Sequence, residues 1–161
     1  MDFLDIEINE RIYKIIIIVS IILVVLYLAL TMSSLLVFKS YTLGPNTTVT
    51  NEGINTHIDL LEPKKVSKKV EIAGWAFKEG EKIGTVNCNY VLKHQDTGKM
   101  YLMRTQMEEN INITEEEHKL AGLHAQCLTI GMPKGWYDIY VLYKNDSEDI
   151  LASTLISVEF E

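Results

Sequence analysis

Two hydrophobic patterns divide the chain. From Ile15 to Phe38 run 24 consecutive residues without a charge, opening with Ile15, Ile16, Ile17, Ile18 and Val19. Beyond them the apolar residues recur at every second position, in short stretches separated by turn residues. A helix of 24 residues rises about 36 Å, enough to cross a hydrocarbon core of about 30 Å with some tilt. Its β-branched residues are poor helix formers in water, but lipid offers the backbone no other partner, so a single span must be helical. The pattern predicts a cytoplasmic tail over residues 1–14, a transmembrane helix over 15–38, a stalk over 39–56 and a β domain over 57–161.

The competing reading of the apolar run is a cleaved secretory signal, whose apolar core is about 7 to 15 residues long. This run is longer, and its small residues, Thr31, Ser33 and Ser34, arrive late. A retained anchor is therefore expected. Arg11 and Lys14 precede the run and only Lys39 follows it closely, which predicts a cytoplasmic N-terminus and an extracytoplasmic C-terminal domain. Within the run there is no Gly-x-x-x-Gly pair, so nothing signals a close-packed helix dimer.

The stalk is read from Gly44-Pro45-Asn46 and Asn51-Glu52-Gly53, turn signals in a stretch rich in Thr and Asn. After it, Val70 to Phe77, Val86 to Lys93, Lys99 to Arg104, Leu123 to Ile130, Trp136 to Tyr143 and Ile150 to Phe160 are predicted strands. Asp96-Thr97-Gly98, Gly131 to Gly135 and Asn145-Asp146-Ser147 are the turns between them, and Glu115 to Leu120 is predicted to form one helical turn capped by Thr114. Short strands at regular spacing imply an antiparallel sandwich.

The residues Val70-Glu71-Ile72-Ala73-Gly74-Trp75-Ala76-Phe77, then Tyr90-Val91-Leu92-Lys93, then Gly131 to Tyr137 resemble a small immunoglobulin-like β-sandwich found outside the membrane in envelope proteins of Gram-positive bacteria. The resemblance covers about residues 56 to 160. It implies a cell-envelope location and a binding or scaffolding role, often beside surface-polysaccharide machinery, and it carries over no catalytic residue. At Arg104-Thr105-Gln106-Met107 and Gly122-Leu123 the chain departs from the pattern of such domains.

Charge narrows the partners. The whole chain has 15 Lys and Arg against 22 Asp and Glu; leaving out Arg11, Lys14, Asp2, Asp5, Glu7 and Glu10 gives residues 39–161 13 against 18, a net of −5. Nucleic acid and anionic lipid both reward a basic face, so neither is an expected partner of the domain. The Lys64, Lys65, Lys68, Lys69 cluster is the exception and reads as a solvated turn flanking a strand, with contact to an anionic wall polymer or lipid headgroup as the alternative.

The residues that resemble catalytic motifs have structural explanations. Asp96-Thr97-Gly98 has the string of an aspartic protease in the setting of a hairpin turn. Glu115, Glu116, Glu117 and His118 lack the second His that a zinc-protease helix requires, and no nucleophile elbow or phosphate loop is present. No enzyme activity, metal or cofactor is expected. Cys88 and Cys127, each in a predicted strand, fit a disulfide of an exported domain and equally two buried free thiols. Trp75 precedes both and Trp136 follows both, unlike the antibody arrangement with its Trp between.

Along the fifth strand, Tyr137, Ile139, Val141 and Tyr143 form the better core face. That leaves Trp136, Asp138 and Tyr140 as the candidate surface for a ligand or partner. The expected function is an envelope-anchored accessory or scaffolding protein docking onto a membrane-protein partner. The alternative is a surface-anchored carbohydrate-binding module that stacks sugars on its aromatics, and a pilin-like subunit comes third.

Overall fold

The computed structural model describes residues 10–36, 38–62, 65–66, 69–81, 86–109 and 120–161. It divides into two compact units, Met1–Leu35 and Leu36–Glu161. The first holds one helix, α1 (Glu10–Leu36), whose stretch Ile12–Thr31 has a mean hydropathy of 2.8 and is apolar all the way round. At about 1.5 Å per residue these 20 residues match the thickness of a hydrocarbon core, so α1 is a candidate membrane span.

The second unit is built from β1 (Lys39–Tyr41), β2 (Thr47–Val49), β3 (Ile54–Glu62), β4 (Lys65–Val66), β5 (Lys69–Lys78), β6 (Asn87–His94), β7 (Met100–Leu102), β8 (Thr105–Glu108), β9 (Gly122–Leu128), β10 (Gly135–Lys144) and β11 (Asp149–Phe160). They form two sheets, β3-β5-β9-β8 and β1-β7-β6-β10-β11-β2, with β4 also paired to β11. Without the short strands β1, β2 and β4, the two orders are A-B-E-D and C′-C-F-G, the arrangement of an immunoglobulin sandwich. Nearly all pairings are antiparallel; the exceptions are β2 and β4, which run parallel to β11.

Alternation along each strand makes the core. Val70, Ile72 and Ala76 of β5 and Leu123, Ala125 and Cys127 of β9 share it with Cys88, Tyr90 and Leu92 of β6. β10 contributes Tyr137, Ile139, Val141 and Tyr143, the parity expected from the pattern. Tyr137 begins this strand, and its hydroxyl donates to the Pro133 carbonyl at 2.7 Å, four residues upstream. That is the tyrosine corner of immunoglobulin-like sandwiches, here without a cysteine two residues on.

The Asp96-Thr97-Gly98 string is a hairpin turn. Gly98 has φ +68° and donates its N–H to the His94 carbonyl at 2.8 Å. Asn145 forms the last turn by accepting the N–H groups of Ser147 and Glu148 on its Oδ1.

Three expectations are corrected. Residues 39–56 are not a stalk: β1 pairs with β7, β2 pairs with β11, Asn51 Oδ1 accepts the Ser153 N–H at 2.8 Å, and Ile54 opens β3. Thr and Asn here serve the edges of the large sheet instead of solvating a linker. Phe38 does not end the span either; its ring packs on the sandwich core, 6.4 Å from that of Phe160. The strand expected over Lys99 to Arg104 is shorter, β7 alone, and beyond it the chain changes sheets to form β8, which the pattern does not predict. The Met103 N–H donates to the Tyr90 carbonyl, and Thr105 Oγ1 accepts the Tyr90 N–H, so β7 and β8 straddle β6. The expected helical turn at Glu115 to Leu120 lies outside the described residues except for Leu120, as do Lys64 and Lys68 of the lysine cluster.

Candidate functional site

β10 is central in the large sheet, and the residues of its outward parity, Trp136, Asp138, Tyr140 and Leu142, lie in register on one face. Trp136 faces Glu159 across the β10–β11 pair and is 48% exposed. Asp138 accepts hydrogen bonds from Gln95 Nε2 at 2.6 Å and Ser157 Oγ at 2.7 Å. Tyr140 sits between Val91 and Ser153, half-buried, with Lys93 Nζ 5.9 Å from its ring centroid. The three candidate residues thus share a face but differ in character: one open ring, one fixed carboxylate and one ring partly covered by a cation.

The solvent face of an antiparallel sheet is ordinarily polar. Here Val91, Leu142 and Leu151 form a second buried cluster, with Tyr41, Met100, Leu102 and Tyr140 packed around it. Leu142 and Leu151 are cross-strand partners, and Val91 faces Leu102. The sequence pattern does not point to this apolar face, because Tyr41 lies in a stretch without strand period and the β1–β7 and β6–β10 pairings bring together residues far apart in the chain. Its legible signals are the unbroken apolar runs Tyr90-Val91-Leu92, Val141-Leu142-Tyr143 and Ile150-Leu151-Ala152, which fill both faces of β6, β10 and β11.

The smaller sheet presents a different surface. His57, Trp75 and Phe77 stack in sequence, with centroids 5.6 Å and 5.3 Å apart. Beside them Glu71 accepts hydrogen bonds from His124 Nε2 at 3.1 Å, Gln126 Nε2 at 2.7 Å and Lys69 Nζ at 3.4 Å. The His124 bond, followed by that of Gln126, holds the Glu71 carboxyl below its ordinary range. Pairing of β5 with β9 in the register Glu71↔Gln126 and Ala73↔His124 sets this network.

Inside the sandwich, His94 is 3% exposed, accepts the Thr97 N–H on Nδ1 and donates from Nε2 to the Lys134 carbonyl at 3.0 Å. Its ring meets Tyr137 edge-on at 4.8 Å, so it locks the turn to the tyrosine corner. Cys88 and Cys127 are buried free thiols in opposite sheets; the disulfide that their sequence left open is not formed. Burial, with a smaller contribution from Glu81, pushes the Cys88 thiol up to about 12, and burial raises Cys127 too. Both act as small apolar core residues.

An open cleft of about 620 Å³ lies between Ser40–Leu43 and Gly98–Tyr101, with Lys99 as its one charged lining residue. Among the described residues no three of His, Cys, Asp and Glu converge as a metal site. No protein-family model, curated protein or solved structure matches the chain.

Proposed function

We propose that this chain is a single-pass accessory protein of the cell envelope, with its N-terminus in the cytoplasm and its sandwich outside, docking onto a partner membrane protein. The observation that carries the reading is the outward strip of β10, where the open ring of Trp136 shares a face with the fixed carboxylate of Asp138. An exposed aromatic ring beside a fixed polar group is what protein interfaces use as a hot spot. Arg11 and Lys14, in the first turns of α1, support the orientation. The resemblance to Gram-positive envelope sandwiches supports polysaccharide assembly or export machinery as the class of partner.

Stacking of sugars is favoured less on this face. Tyr140 has Lys93 against its ring and is packed into the cluster, which leaves Trp136 as the open ring there. The full-length chain, purified at native expression in a mild detergent, is expected to carry one membrane protein in stoichiometric amount. Trp136→Ala should release that protein without moving the melting temperature. A chain that purifies alone, or a complex indifferent to Trp136→Ala, overturns the reading. Binding of glycans that is lost in Trp136→Ala would favour the carbohydrate module instead.

A further inference from the structure

Leu155 is the most exposed large apolar residue of the sandwich at 86%, and among the described residues it is the one non-glycine with a positive φ, +59°. Bulky L-residues avoid that region because Cβ crowds the following carbonyl. The position follows from a bulge: Ser153 pairs with Tyr140 and Ser157 with Asp138, so Thr154, Leu155 and Ile156 together face the single residue Ile139. Side chains pin the bulge. Thr154 Oγ1 donates to the Ile139 carbonyl at 2.8 Å, the Leu155 N–H to Ser153 Oγ at 3.2 Å, and the Ser153 N–H to Asn51 Oδ1 at 2.8 Å.

The bulge falls in a gap along the edge of the sheet. β2 pairs with β11 only as far as Leu151, and β4 only from Glu159. A bulge there guards an edge against strand addition. Guarding needs only the backbone, and Gly or Asn would hold this φ with less strain. Leu suits neither the backbone nor water, which leaves use of its side chain as the reason for it. Leu155 is two residues from Ser153 and from Ser157, hence within about 7 Å of the cross-strand partners of Tyr140 and Asp138.

We propose that Leu155 is the apolar knob of the docking surface and inserts into an apolar pocket of the partner protein. This rests on the docking reading and names the chemistry that the partner must offer. The partner presents a pocket and not a β-strand, because the bulge breaks the ladder on which a strand would pair. Beside the pocket it carries a basic group facing Asp138. That carboxylate is held by two neutral donors, Gln95 and Ser157, while its register neighbour Lys93 turns to the Tyr140 ring.

The test uses the full-length chain in native membranes, with the photo-crosslinker benzoylphenylalanine replacing Leu155, Trp136 or, on the opposite sheet, the exposed Gln106. Leu155 and Trp136 positions are expected to give one and the same membrane-integral adduct, Gln106 none, and Asp138→Lys should abolish it. Leu155→Gly should raise the melting temperature by about 4 °C and reduce recovery of the complex at least tenfold, while Leu155→Ala should reduce recovery without the thermal gain. An adduct at the Trp136 position but not at Leu155, a complex that survives Leu155→Gly, or a lowered melting temperature overturns this inference and leaves docking standing. No adduct at either position overturns both.

Discussion

Tyr137 shows how one side chain joins local and tertiary structure. Its ring lies between His94, Tyr101 and Phe160, with centroids at 4.8, 6.1 and 4.6 Å, while its hydroxyl reaches back to Pro133. Burial raises the phenol's pKa, so it stays a neutral donor at any physiological pH. Removing a buried partner strands the other group, at about 1–2 kcal/mol. Tyr137→Phe keeps the ring and should therefore lower stability by that amount, about 4 °C or more in melting temperature, read by the fluorescence of Trp75 and Trp136. An unchanged transition would mean that the corner bond contributes nothing.

Among the elements, β3 and β5 depend on Gly74. It lies opposite Ile58, where the β3–β5 register shifts between Ile58 and Leu60, and a Cβ there would meet the His57 carbonyl oxygen at 2.0 Å and Ile58 Cα at 2.9 Å. Because backbone, not a flexible side chain, fills that space, Gly74→Ala should destabilise the sandwich by about 3 kcal/mol, shown by a fall in the urea midpoint of the same fluorescence transition. A midpoint within experimental error of the parent would contradict the close approach of β3. The strands β5, β6, β9, β10 and β11 were legible because each alternates or runs apolar between turn residues. Short β1, β2, β4 and β8 were not: two to four residues hold no period, and what makes them strands is pairing with β7, β11 and β9. Likewise Trp136, Asp138 and Tyr140 could be placed on one face from their spacing, whereas Leu155 stands out only through its φ and its exposure.

The whole molecule joins an apolar helix, a candidate membrane span, to an acidic two-sheet sandwich whose outward strip carries the exposed Trp136. Ile12–Thr31 fits a bilayer by length and hydropathy, and the sandwich closes its own core without it. The proposed docking through Trp136 and Leu155 draws on that arrangement, since a shared membrane would hold the domain beside its partner at high effective concentration. Extraction of native membranes with alkaline carbonate tests the arrangement most directly. The full-length chain is predicted to remain in the pellet and to be released by detergent; a chain found in the carbonate supernatant would contradict it.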